Sequence, residues 1–249
     1  MANHAWGTYH WARSANPFTL KLGNDLSSTW TSYLSTTSSD WSLSSVLDTT
    51  IVPGRTTAKN CRPTLGQVEV CNYGYGNNRW LGVASIWVNS SSHITQGTVR
   101  VNDTYFNTPS YNKPAWKNLV MCQEVGHTFG LDHQDENFTN PNLGTCMDYT
   151  NDPDGTIYGQ LSNEHPNQHD YDELGIIYNH LDTTNTVSRV LAKFGLGFNK
   201  DTEDSQEANL DDTKDWGNEV KKDSKKHSSL FERDLGGGQK VFTFVVWAN

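Results

Sequence analysis

Between positions 123 and 133 the chain reads Gln-Glu-Val-Gly-His-Thr-Phe-Gly-Leu-Asp-His. On a helix, Gln123 and His127 lie one turn apart on one face, the spacing that lets two side chains grip one metal ion. Gly130 can adopt the left-handed conformation that ends a helix and turns the chain, so His133 can approach the same ion from another direction. Glu124 then sits beside the metal, where a carboxylate can take a proton from water. Three protein ligands plus one position left to water describe a catalytic rather than a structural zinc site. Each residue also has a plainer reading: Gln123 as a polar helix residue away from any metal, Glu124 as a solvent-facing one, His127 and His133 as packed histidines.

Positioning these groups requires a helix held against a sheet. Pro114 suits the first turn of a helix running through Trp116, Leu119 and Val120 to His127. Residues 18–22 alternate as a strand and are followed by turn-type Gly23-Asn24-Asp25. Trp30, Tyr33, Leu34 and Thr37 recur at helical spacing behind capping-type Asp25 and Ser27. Further strands are expected over 46–52, 67–72 and 98–102, and the continuous apolar run 81–88 reads as an inner strand buried on both faces. A last helix carries Tyr171, Leu174, Ile177, Tyr178 and Leu181 on one face. The stretch 199–226 is dense in Asp, Glu and Lys, with only Leu210, Trp216 and Val220 as large apolar groups, and reads as a solvated linker. Beyond it, 230–235 and 240–247 flank three glycines as a hairpin. The expected architecture is α/β (α+β): a main domain over 1–198, a charged linker over 199–226, and a strand element over 227–249 packed on the main domain.

The 249 residues carry 28 acidic and 19 basic side chains, a net charge of -9, which argues against nucleic acid or an anionic membrane as partner. Aromatic residues make up 11%, with nine Trp, so wholesale disorder is excluded. No apolar run approaches the ~20 residues of a membrane helix, and no basic start followed by an apolar stretch marks a signal peptide. Cysteines stand at 61, 71, 122 and 146 with no CxxC pair, which suits two disulfides in an exported protein; four cysteines allow three pairings. Sequons begin at Asn89, Asn102 and Asn137. Asp148, Asn151, Asp152, Asp154 and Gly155 form an oxygen-rich loop without the full spacing of a calcium loop, so calcium has no support and a solvated turn is expected. His165 and His169 are four apart, but Pro166 between them spoils a regular helix; His169 is the first place to look for a replacement metal ligand.

The 123–133 segment resembles the zinc-binding consensus H-E-x-x-H-x-x-G-x-x-H of the metzincin metallopeptidases at every fixed position but the first, where Gln123 replaces histidine. Cys146-Met147-Asp148-Tyr149 is similar to the family's Met-containing turn, in the form seen in astacins and serralysins, while the general layout looks closest to the matrixin-like members. The resemblance spans about Trp6 to Leu181 and leaves the linker and terminal hairpin unexplained. It implies a zincin catalytic domain with a twisted mixed sheet, active-site helix, Met-turn and C-terminal helix. It further implies zinc on His127, His133 and Gln123, Glu124 as general base, Tyr149 as oxyanion stabiliser, and Met147 and Gly130 as structural residues. A neutral amide oxygen is a weaker donor than imidazole, so metal binding should be weakened. Because the family brings the active-site helix and Met-turn together, Cys122 is expected to bond Cys146, leaving Cys61 with Cys71. The implied activity is that of a secreted, monomeric zinc-dependent endopeptidase acting on protein or peptide substrates. The rival is a pseudopeptidase that keeps the fold as a binding or structural module.

Overall fold

The computed structural model describes residues 3–187 and 213–248. In chain order the elements are β1 (His10–Trp11), β2 (Phe18–Asp25), α1 (Thr31–Trp41), β3 (Leu47–Pro53), β4 (Gln67–Tyr73), β5 (Trp80–Val88) and β6 (His93–Asn102). They continue with α2 (Asp103–Phe106), α3 (Pro114–His127), α4 (Gln168–Ile177), β7 (Asn218–Lys222), β8 (Ser228–Gly236) and β9 (Gln239–Trp247). The fold is mixed α+β, built on one nine-stranded sheet in the order β3-β2-β4-β6-β5-β9-β8-β7, with β1 added to β6. Strands β3, β2, β4 and β6 run parallel, and β5 pairs antiparallel with both β6 and β9. Helices α1 and α3 pack on each other and on the sheet. Among the described residues no helix is long and apolar enough to cross a membrane.

The structure departs from the sequence reading in four places. Strand β2 does not stop before its turn-type residues: Gly23, Asn24 and Asp25 pair with Glu69, Val70 and Cys71 of β4. Gly23 is there for close approach, since a Cβ would lie 1.9 Å from Glu69 Oε2. Helix α1 has no side-chain cap, and Asp25 belongs to β2 rather than to the helix start. Helix α4 ends at Ile177 instead of running to Leu181, which is exposed. Of the expected linker, residues 199–212, Leu210 among them, lie outside the described residues. The remainder holds Trp216, fully buried, and β7, which pairs with β8. The charge density there hides an edge strand, whose side chains stay in water while its backbone is paired.

The C-terminal strands join the main sheet through β9, whose register on β5 runs from Val88↔Lys240 to Trp80↔Trp247. Because side chains alternate across a strand, β9 serves two cores. Phe242, Phe244 and Val246 enter the main core, while Val241 and Val245 join Trp80, Val83 and Trp216 in a satellite cluster on the other face. Trp216→Ala should therefore destabilise the terminal strands by about 3–5 kcal/mol. Amide exchange in β9 measures this; protection unchanged from wild type would show that the satellite cluster does not hold the strand.

Candidate functional site

The site is built on the last turn of α3. Its start needs no cap donor for Pro114 at N1, and 11 of its residues are buried, from Ala115 to His127. A buried helix end leaves carbonyls without intrahelical partners. Aromatic donors from the N-terminal segment and from the end of α4 supply partners: Trp6 Nε1 donates to His127 O (3.2 Å), Trp11 Nε1 to Thr128 O (2.8 Å) and Tyr178 Oη to Phe129 O (2.8 Å). Gly130 then reverses the chain at φ +103°, where a Cβ would meet Tyr9 O at 2.7 Å. The backbone of Trp6 donates to Gly130 O, pinning the turn.

This turn brings His127 and His133 together, their Nε2 atoms 2.9 Å apart. Each ring is oriented through its other nitrogen. His127 Nδ1 lies 2.8 Å from Leu131 O, and His133 Nδ1 lies 2.6 Å from Glu136 Oε1. A carbonyl or carboxylate oxygen can only accept, so each Nδ1 carries the proton and both Nε2 atoms present bare lone pairs to one another. A shared proton is disfavoured: burial, then the charge of its neighbour, push His127 well below the ordinary range, and burial takes His133 down to about 3. The arrangement fits a cation. Two zinc bonds of ~2.05 Å at a tetrahedral angle would set the nitrogens about 3.3 Å apart, a small opening of the observed pair.

Gln123 lies one turn earlier on α3, 1% exposed. Its Nε2 donates to Cys146 O (2.7 Å), which leaves Oε1 buried without a partner. A buried acceptor with no donor suits a metal ligand. The Cys122–Cys146 bond ties α3 to the turn that carries Met147, and the Cys61–Cys71 bond closes the loop into β4. Met147 packs beneath the helix at Gly126, where a Cβ would come within 2.7 Å of the Met147 sulfur and of Trp41.

Glu124 is fully buried and neither carboxylate oxygen has a hydrogen-bond partner. Burial raises its pKa well above the usual range, and the nearby amides of Val246 and Ala84 only partly offset that. The carboxyl lies flat against β5 because position 82 is glycine: a Cβ there would stand 2.6 Å from Glu124 Oε1 and 2.5 Å from Val120 Cγ1. Tyr149 rests against His133 with ring centroids 4.5 Å apart, and its hydroxyl donates to Val245 O (3.0 Å). Burial raises its pKa too, so that proton is retained.

Several neighbours of the site are not apparent from the motif. Phe244 of β9 stacks on His127 at 4.0 Å and 10°, and Val246 enters the main core on the same face of the strand. Glu136, which holds His133, is itself paired with Lys221 of β7 (3.2 Å), as is Asp132 (3.0 Å). The alternation of Phe242, Phe244 and Val246 was the available signal for an inward face on β9. The other metal candidates are engaged elsewhere. His165 pairs with Asp40 at 2.7 Å, whereas His169 stacks on His4 at 4.8 Å and shares with His4 and Asp170 a separate group of potential ligand atoms, all within 4.8 Å of one another. The acidic loop is not a solvated turn at every position: Asp148 and Asp152 are buried and accept from backbone or amide donors, Leu143 N and Asn163 Nδ2 for Asp148 and Tyr158 N for Asp152. Gly82→Ala should cost about 1–3 kcal/mol by wedging α3 from β5. Urea unfolding tests it, and a neutral effect would mean that Glu124 does not lie against that strand.

No protein-family model and no curated protein matches the chain. Among solved structures it is similar to High choriolytic enzyme 1, a hatching enzyme zinc-protease from Oryzias latipes (medaka fish), at 11% identity and a TM-score of 0.37; the match covers 68% of this chain and 94% of that one.

Proposed function

We propose that this chain is a secreted zinc-dependent endopeptidase of metzincin type, closed in the described conformation by its own C-terminal strand. The observation that carries the reading is the pair of bare Nε2 atoms of His127 and His133, 2.9 Å apart, beside Glu124 on the same helix. His127 and His133 hold the metal, with Gln123 Oε1 as the third protein donor. When bound, zinc polarises a peptide carbonyl and makes water a better nucleophile at neutral pH. Glu124 takes the proton of the attacking water and delivers it to the leaving amine. Tyr149, which keeps its proton, donates to the carbonyl oxygen as negative charge develops there. Two disulfides agree with an oxidising compartment.

Strand β9 supports the reading a second way. It is an extended chain laid antiparallel on β5, with the Val245 carbonyl on Tyr149 and the Val246 amide toward Glu124. A peptide substrate added to the same edge would present its backbone to the same groups. With β9 in place, burial raises the pKa of Glu124; displacement of the strand would rehydrate the carboxyl and favour the ionised form that a general base requires.

Glu124→Gln should lower peptide cleavage at least ~10²-fold with bound zinc unchanged, and Phe244→Ala should raise the rate of the intact chain by uncovering His127. Cleavage by zinc-loaded Glu124→Gln at the wild-type rate would sink the mechanism; no gain in Phe244→Ala would show that β9 is not the barrier. A separate expectation concerns the amide ligand. Gln123→His should tighten zinc binding, read by competition with a chromophoric chelator. Unchanged affinity there, beside a sharp loss in His127→Ala, would place Gln123 away from the metal.

A further inference from the structure

Outside the candidate active site, His10, His93 and Asp182 bring ligand atoms within 4.8 Å of one another, and His180 lies beside two of them. His10 of β1 and His93 at the start of β6 are register partners in parallel pairing. His180 and Asp182 follow the end of α4. Asp182 Oδ1 lies 3.4 Å from His10 Nε2, 3.4 Å from His93 Nε2 and 3.7 Å from His180 Nε2, and the Nε2 atoms of His10 and His180 are 3.1 Å apart. Zinc bonds of ~2.0–2.2 Å at tetrahedral angles separate ligand atoms by about 3.3–3.6 Å, which is the scale of this cluster.

The surrounding groups prepare these atoms as donors. His10 Nδ1 faces Thr8 O at 2.8 Å, so it carries the proton and Nε2 is bare. His180 Nδ1 faces Asn179 Oδ1 at 3.3 Å, which again leaves Nε2 free. Asp182 Oδ2 accepts from Arg13 N (3.2 Å) and Arg13 Nη1 (2.9 Å), so its second oxygen is turned to the histidines. Such hydrogen bonds to the far atom of each ligand are the usual support of a metal site. In these tautomers the Nε2 lone pairs of His10 and His180 face one another at 3.1 Å, a contact that a bound cation relieves.

We propose that His10, His93, His180 and Asp182 bind a structural zinc ion, distinct from the one at His127 and His133. Four protein donors close the coordination shell, so the ion staples the N-terminal strand to the start of β6 and to the chain after α4. The N-terminal segment so anchored is the one whose Trp6 and Trp11 hold the end of α3.

The test is zinc content and affinity of the purified full chain. His127→Ala should retain one tightly bound zinc per chain, and His93→Ala/His180→Ala should lose it. His180 is half exposed, so His180→Ala alone serves if the double variant does not fold, with at least ~10-fold weaker binding expected. Cobalt in place of zinc should give a tetrahedral absorption spectrum that the same substitutions remove. A wild type that binds no zinc beyond that lost in His127→Ala, or content and affinity indifferent to His93 and His180, would overturn the proposal.

Discussion

Two imidazole nitrogens that both lack a proton cannot share a dry space without a cation between them, and this constraint organises the molecule. His127 and His133 are held in that relation from behind, by Leu131 O and by Glu136. Their approach depends in turn on the reversal at Gly130 and on the aromatic donors that hold the carbonyls at the end of α3. Those donors come from the first strand region and the end of the last helix, so two of the chain's nine tryptophans and Tyr178 place one turn. Replacing such a donor would leave a buried carbonyl unpaired, which makes the helix end expensive to move.

The second organising feature is the double use of β9. Its even-numbered side chains close the site while its odd-numbered ones build the satellite cluster with Trp216. Closure of the site and stability of the terminal strands are therefore coupled through a single backbone. Lys221 of β7 strengthens this coupling, because it neutralises the carboxylate that orients His133. Any partner that competes for the edge of β5 must release both the apolar face and this ion pair.

The histidine cluster around Asp182 follows the same rule at another place in the fold. Acceptors fix the protonated nitrogens, and the bare ones converge. Because α4 stops at Ile177, the chain can turn and bring His180 back toward β1.

The local part of this design was legible in the sequence. The spacing of Gln123, Glu124 and His127 is set by helical period, and Gly130 announces a turn, so the approach of His133 to His127 and the helix behind Pro114 follow from neighbours in the chain. The strands of the main sheet were readable from alternation and from the continuous apolar run of β5. What the sequence could not carry was pairing between distant segments. His10 and Asp182 are 172 positions apart and become partners only when β1 reaches β6 and the chain leaves α4. Phe244 meets His127 only because β9 takes the edge of β5 in one register, and a slip of one residue would turn that ring to the opposite face. Val220 lies in a run whose charge resembles a solvated linker, since an edge strand is defined by its backbone pairing, and Trp216 in the same run is buried only because β9 brings Val241 and Val245 to it. Periodicity reports what each segment buries; only the tertiary structure decides what it is buried against, because that choice rests on contacts with no fixed sequence separation.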